Sequence, residues 1–192
     1  MKMNHVMLDL ETLGTGSNSV IIAAGLVEFD LETGTTGKHI KLSFNLLDQL
    51  LNGADIDKDT LTWWQSQSTS AKELLKQSST TKPIEETLKE LSTFLTTLPA
   101  GAANLSLWGN GCTFDNVILR NLYKRSGIQF PLAFWQDKDV RTLAQLVDYD
   151  KVVDLTGPFQ GTKHDPIDDC MYQIKMCKNA YDLLTKNKKE IK

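Results

Sequence analysis

Residues 5–14 read HVMLDLETLG and begin a series of three apolar or β-branched runs. The runs cover His5–Leu10, Val20–Phe29 and Ile40–Phe44, and connections rich in Gly, Ser and Thr separate them. Short apolar runs bounded by such turn residues are typical of β-strands that follow one another along the chain. The sequence therefore predicts an antiparallel meander at the start of the fold.

Helical spacing of apolar residues replaces this strand pattern after Asn45, and Pro83 stands where a helix can begin. The polar stretch QSSTTK at 77–82 is predicted to be a loop. The predicted helical segments are LLDQLL at 46–51, DTLTWWQSQ at 59–67, SAKELLKQ at 70–77 and a segment that begins near Pro83. Helices are therefore expected to fill the middle of the chain.

Strand and helix patterns alternate in the second half of the sequence. The predicted elements there are a strand at Leu105–Trp108, a turn at Gly109–Gly111, a helix that ends at Gly127, a strand around Phe134 and Trp135, a helix at Val140–Val147 and a long helix from about Pro166 to Leu184. We expect the tail from about residue 186 to fray. Because no repeat or linker divides the chain, we expect a single domain over residues 1–192. The predicted fold class is α/β, with a mixed β-sheet flanked by helices.

The composition is that of an ordinary globular domain, with 41% hydrophobic and 23% charged residues. The net charge of −3 argues against a surface coated with basic residues, so nucleic-acid contacts would need a local patch or bound cations. The number of cysteines is odd and none forms a CxxC pair, so we expect no disulfide framework among Cys112, Cys170 and Cys177. The sequence lacks a signal-peptide pattern and a long apolar segment, so we expect a soluble cytoplasmic protein without a membrane partner.

Asp9 and Glu11 stand two residues apart in the first predicted strand. Because side chains alternate along a strand, both carboxylates leave one face while Leu8 and Leu10 leave the other. Like charges near a core are unfavourable without a cation between them, and Mg²⁺ and Mn²⁺ prefer oxygen ligands. The pair therefore indicates a site for a divalent metal, although a DxE motif on its own is more often a solvated strand end.

Asp115, His164 and Asp169 extend this constellation. Asp115 lies in the first turn of a predicted helix, and Asp169 lies near the start of the last helix. Each alone is typical of a carboxylate that the helix dipole stabilises. His164 precedes Asp169 by five residues, with Pro166 between them, and a lone histidine there would be an ordinary surface residue. Asp168 lies about 100° around the helix from Asp169, so we do not expect it to be a ligand.

Three segments, taken in order, resemble the motifs of the histidine-containing branch of the DEDD superfamily of 3′-to-5′ exonucleases, which has a ribonuclease H-like fold. They are LDLETLG at 8–14, GNGCTFDNVIL at 109–119 and HDPIDDC at 164–170. Within that superfamily, SNSVIIAAG at 17–25 and the paired tryptophans of TLTWWQSQS are similar to small phage and bacterial enzymes of the exodeoxyribonuclease VIII type. Pro166 departs from the alanine of many relatives, and a helix start tolerates proline.

The resemblance implies a metal-dependent exonuclease that hydrolyses phosphodiester bonds at nucleic-acid 3′ ends, with DNA favoured. The implied ligands of two divalent cations, Mg²⁺ or Mn²⁺, are Asp9, Glu11, Asp115 and Asp169, and the implied general base is His164. An exoribonuclease that acts on RNA ends is the alternative, because both activities use the same metal centre. A catalytically idle nucleic-acid-binding module is a further alternative, which the presence of all five residues disfavours. The resemblance also allows a homodimer.

Four residues near these motifs are candidate substrate contacts. Leu13 and Gly14 follow the first motif, where a small backbone lets a terminal nucleotide approach and an apolar side chain can wedge against its base. Trp64, or its neighbour Trp63, could stack on bases, a contact worth roughly 1 to 3 kcal/mol. Phe114 could line the same cleft. Core packing is the alternative for the leucine, the tryptophan pair and the phenylalanine.

Overall fold

We describe a computed structural model of the chain, which covers residues 2–67, 69–79 and 81–190. The strands are β1 (His5–Thr12), β2 (Ile21–Phe29), β3 (Thr36–Ser43), β4 (Ser106–Gly109) and β5 (Asp137–Asp139). The helices in these ranges are α1 (Leu46–Leu51), α2 (Lys58–Ser66), α3 (Thr69–Ser78), α4 (Ile84–Thr96), α5 (Asp115–Arg125), α6 (Val140–Gln145), α7 (Tyr149–Thr156) and α8 (Pro166–Glu190).

The strands form one mixed sheet in the order β3-β2-β1-β4-β5. β1, β2 and β3 are antiparallel neighbours, so the predicted opening meander is confirmed. β4 pairs parallel with β1, and β5 pairs parallel with β4. The carboxyl ends of β1 and β4 therefore lie side by side at one end of the sheet, and the segments that follow both strands meet there.

The alternation of β1 separates its apolar and acidic side chains. Val6, Leu8 and Leu10 are buried in a cluster with residues of α4 and α5 on one face of the sheet. Met7 is buried on the opposite face, in a cluster with residues of α6, α7 and α8. Because side chains two residues apart share a face, Asp9 and Glu11 continue the row of Met7 towards α8, as the sequence predicts.

Glycine allows α8 to cross the sheet at close range. Gly25 in β2 pairs with Asp9 in β1. A Cβ atom at Gly25 would lie 2.4 Å from the carbonyl oxygen of Pro166, the first residue of α8. A side chain there would collide with backbone, so the contact requires glycine. This contact brings the first turn of α8 next to the acidic end of β1.

Several predicted boundaries differ from the structure. Phe134 and Trp135 are in a short 3-10 turn instead of a strand, and their side chains are 74% and 70% exposed. The strand in this region is β5, which starts immediately after the turn. α7 was not predicted from the sequence, and α6 ends two residues earlier than predicted. The first two residues of the predicted loop at 77–82 belong to α3, and Thr80 lies outside the described residues.

The predicted single domain over residues 1–192 and its frayed tail stay predictions. The last helix is described to Glu190, and residues 191 and 192 lie outside the described residues. The three cysteines are free, as expected. Among the helices of the described ranges, none combines the length and the apolar character that crossing a membrane requires.

Candidate active site

Three carboxylates from two distant parts of the sequence meet at the end of β1. Asp9 and Glu11 come from the strand, and Asp169 comes from the first turn of α8. One oxygen from each of the three lies within 4.8 Å of the others. This arrangement supplies only oxygen donors, which are the ligands that hard divalent cations prefer. The structure therefore brings together three of the four predicted metal ligands as one group.

Asp115 lies next to this group without being part of it. Its Oδ1 accepts a hydrogen bond from the backbone N–H of Leu10 (3.2 Å), and its Oδ2 accepts one from Asn110 N–H (3.1 Å). The turn before α5 is tight, because a Cβ atom at Gly109 would lie 2.3 Å from Asn116 Oδ1. Both oxygens of Asp115 are thus held by backbone, and each retains a lone pair for another partner.

Burial raises the pKa values of all four carboxyl groups, and repulsion by neighbouring carboxylates adds to the rise for Asp9, Glu11 and Asp169. Burial is the largest cause in each case. It raises the pKa of Glu11 to about 8, that of Asp115 to about 7 and that of Asp169 to about 6. The pKa of Asp9 is raised well above its usual value by burial and then by the charges of its three carboxylate neighbours. The positive charges of Lys41 and Arg141 offset these shifts only in part, and a bound cation would reverse them.

His164 stands beside the carboxylates in the loop before α8. Its backbone has a φ of 64°, which is uncommon for a residue other than glycine. Its N–H donates a hydrogen bond to Asp169 Oδ2 (3.1 Å), and its imidazole Nδ1 lies 3.9 Å from Glu11 Oε1. Burial lowers the pKa of His164, and the nearby charge of Lys163 lowers it further. The imidazole is therefore neutral near pH 7 and can accept a proton.

Gln173 belongs to the site but was not among the residues predicted from the sequence. Its amide nitrogen donates a hydrogen bond to Asp9 Oδ1 (2.7 Å), and the residue is buried. Gln173 lies four residues after Asp169 on α8, so both side chains share one face of the helix. That spacing was the only available signal. Asp168, in contrast, accepts a hydrogen bond from Thr162 N–H (2.8 Å) and lies outside the group of three carboxylates.

A cavity of about 500 Å³ opens beside Glu11. Gly14, Trp64 and Phe114, three of the four predicted substrate contacts, line it. Leu13 does not, because its side chain is fully buried in an apolar cluster with Val20, Ile22 and Trp64. The structure therefore packs Leu13 in the core, which is the alternative stated for it, and its contact with a nucleotide stays a prediction.

The two tryptophans differ, because Trp64 packs in the core and Trp63 is open to contact with a base. Trp64 is only 1% exposed, and its indole N–H donates to the carbonyl oxygen of Thr12 (2.8 Å). Its predicted stacking on bases does not fit this burial. Trp63 also lines the cavity and is 42% exposed, so it is the member of the pair that a base could contact. Phe114 is half-buried and packs partly against the main core.

Comparison with known proteins shows the family to which the chain belongs. Residues 4–181 match the family described as the 3′-5′ exoribonuclease Rv2179c-like domain. The chain belongs to this family. It is therefore a 3′-5′ exonuclease of the DEDD type, as the order of its motifs predicts.

Individual relatives agree with this family. A protein of Enterobacteria phage T4 named exodeoxyribonuclease is 25% identical, over 93% of this chain and 89% of the relative. The nuclease domain of 3′hExo, a DEDDh family member solved with bound rAMP, superposes with a TM-score of 0.62 at 12% identity, over 96% of this chain and 92% of that one.

A second solved structure is E. coli exonuclease I in complex with a dA16 oligonucleotide, with a TM-score of 0.68 at 15% identity. The match covers 96% of this chain but only 42% of the length of exonuclease I. At such identities the two solved structures establish the fold alone, and the predicted ribonuclease H-like architecture is confirmed.

Proposed function

We propose that the chain removes nucleotides one at a time from DNA 3′ ends by metal-dependent hydrolysis. The observation that carries this proposal is the group of three carboxylates, Glu11 buried and Asp9 and Asp169 half-buried, with one oxygen of each within 4.8 Å of the others. Three carboxylates in so small a volume repel one another unless a cation lies between them. Membership of an exonuclease family supports the same chemistry.

The residues fit two divalent cations, Mg²⁺ or Mn²⁺. Asp9 stands in the middle of the set, because the charges of Asp115, Glu11 and Asp169 all act on it, and we propose that it holds both ions. Glu11 and Asp169 would hold one ion with it, and Asp115 would hold the other through its remaining lone pairs. When bound, the ions lower the pKa of water and stabilise negative charge on the phosphate and the departing oxygen.

We propose that His164 is the general base. Its imidazole is next to Glu11, and its neutral state near pH 7 suits it to accept the proton of the attacking water. The hydrogen bond from its backbone to Asp169 keeps the loop beside the carboxylates. His164→Ala should therefore lower turnover far more than it weakens metal binding, and an equal loss of both would contradict this role.

DNA is the proposed substrate, and RNA is the second candidate. The relative from phage T4 is named an exodeoxyribonuclease, which supports DNA and the proposed phage and bacterial subgroup. The description of the family names exoribonucleases, which supports RNA as the second candidate. The neutral backbone of Gly14 and the half-exposed Trp63 line a cavity that could take the terminal nucleotide of either.

We also propose that the chain forms a homodimer. Phe134 and Trp135 are 74% and 70% exposed and their rings pack edge to face, so they form an exposed apolar patch that can serve as a contact surface. Light scattering coupled to size-exclusion chromatography measures the mass directly. A mass of one chain at micromolar concentration would contradict this proposal.

The proposed function is tested by digestion of single-stranded DNA and RNA of one sequence, each labelled at the 5′ end. With Mg²⁺ or Mn²⁺, labelled DNA should shorten stepwise from its 3′ end, and chelator should stop the reaction. Asp9→Asn should remove activity, because it keeps the shape of the side chain without its charge. Asp182→Asn is the matched control on α8, since Asp182 pairs with Lys178 outside the metal group, and it should retain activity.

Two results would overturn the proposal. Cleavage that continues in chelator, or that produces internal fragments before terminal nucleotides are lost, is incompatible with a metal-dependent exonuclease. Faster digestion of RNA than of DNA would leave the mechanism intact and transfer the assignment to the second candidate.

A further inference from the structure

Trp63 occupies a position that its neighbour Trp64 does not share. Trp64 is anchored by its hydrogen bond to Thr12 and packs in the core. Trp63 leans edge-on against it, with ring centroids 5.3 Å apart, and its other surfaces are partly open to the cavity. The ring of Trp63 therefore rests on a fixed support and lies beside the proposed catalytic groups.

The ring of Trp63 contacts the imidazole of His164. Their centroids are 4.9 Å apart, and their planes meet at 87°, which is a favourable edge-to-face geometry. Trp64 lies farther from the imidazole, at 6.0 Å. Among the contacts of the described residues, no hydrogen bond is made by the imidazole, because its nearest carboxylate oxygen, on Glu11, is 3.9 Å away. Ring packing is thus the main restraint on its orientation.

We propose that Trp63 is a positioning residue that sets the orientation of the His164 imidazole over the carboxylates. The proposal rests on the proposed general-base role of His164. A base must reach the proton it removes within hydrogen-bond distance, and a flexible loop histidine without a restraint would populate other rotamers. The half-exposed ring of Trp63 also borders the cavity, so one residue contacts both the imidazole and the space beside Glu11.

Steady-state kinetics separate positioning from simple base stacking. Trp63→Ala should lower kcat by tenfold or more and change KM by less than threefold, because the proton acceptor is displaced while the cavity remains. Trp63→Phe keeps an aromatic edge and should restore most of kcat. In a His164→Ala background, Trp63→Ala should cause no further loss of kcat. A rise in KM with unchanged kcat would identify a stacking platform and overturn the proposal.

Nuclear magnetic resonance gives a readout that does not depend on activity. The chain has three histidines, so protein with labelled histidine gives three imidazole signals, and His164→Ala assigns the one in question. At one fixed pH, Trp63→Ala should move that signal by removing the ring current, and Trp63→Phe should move it less. Trp135→Ala is the control, since Trp135 is exposed and its ring contact is with Phe134.

The outcomes distinguish a failure of the positioning role of Trp63 from a failure of the general-base role of His164. An unchanged His164 signal in Trp63→Ala overturns the positioning role. A shifted signal together with full kcat in His164→Ala would contradict the general base, and the proposed function would fail while the contact itself stood. If Trp63→Ala unfolds, Trp63→Leu keeps apolar volume without a ring, and it should reproduce both the shifted signal and the lower kcat.

Discussion

Substitution of Gly25 by alanine should damage the site by displacing the start of α8, which packs against this glycine. The new Cβ would lie 2.4 Å from the carbonyl oxygen of Pro166, and ordinary contact begins at 3.4 Å. The start of α8 must therefore move by about 1 Å, because backbone atoms cannot rotate away as a flexible side chain can. Asp169 and His164 would move with it, away from Asp9.

The expected cost has a catalytic and a structural part. A misplacement of about 1 Å costs on the order of 100-fold in rate, so kcat of Gly25→Ala should fall by roughly that factor. Overpacking of a core contact costs about 1 to 3 kcal/mol in the free energy of unfolding, so Tm should fall by several degrees. Metal affinity should weaken as well, because the carboxylate group widens.

The assay is the rate of mononucleotide release at saturating Mg²⁺, measured beside Tm and a calorimetric titration of the metal. Gly16→Ala is the matched control, since a Cβ there would meet its nearest neighbour, Ser19 Oγ, at 3.9 Å, and it should behave as the wild type. If Gly25→Ala keeps both the wild-type kcat and the wild-type metal affinity, the close approach of α8 does not set the geometry of the site.

Three further predictions concern the carboxylates and their supports. In chelator, the protein should lose stability as pH rises from about 4.5 to 8. The pKa of Glu11 is raised to about 8, so over this range the native state binds more protons than the unfolded state. A Tm that rises over this range would contradict the raised pKa, and saturating Mg²⁺ should abolish the loss of stability. Gln173→Leu should weaken metal affinity several-fold with little change in Tm, because it removes the hydrogen bond that orients Asp9. An unchanged metal affinity by calorimetry would exclude a role of Gln173 in orienting Asp9. Trp64→Phe should lower the free energy of unfolding by about 1 to 3 kcal/mol, because the buried carbonyl oxygen of Thr12 loses its donor; denaturant unfolding measures it, and no change would show that the carbonyl finds another partner.

The elements with strong periodicity were predictable from the sequence. The alternation of β1 separated Leu8 and Leu10 from Asp9 and Glu11, and the structure has this arrangement because each face of the sheet is buried against different helices. The opening meander and α8 were predictable for the same reason. The spacing of apolar residues in these elements predicts which face of each element is buried.

The differences between the predictions and the structure have one physical cause, which is that local composition does not report tertiary contacts. Phe134 and Trp135 have the composition of a strand, but pairing with β4 falls on the polar triplet Asp137–Asp139. Leu13 next to an acidic motif resembled a substrate contact, yet its side chain points into an apolar cluster. Gln173 enters the site only because α8 crosses the sheet at Gly25, and no local pattern encodes that crossing.

The central claim is that carboxylates far apart in the sequence hold the divalent cations that the exonuclease requires. The most direct measurement is anomalous scattering from crystals grown with Mn²⁺. We expect two peaks at the end of β1, both in contact with Asp9, one also bonded to Glu11 and Asp169 and the other to Asp115. Manganese absent from these oxygens in crystals of protein that degrades DNA or RNA with Mn²⁺ would contradict the claim.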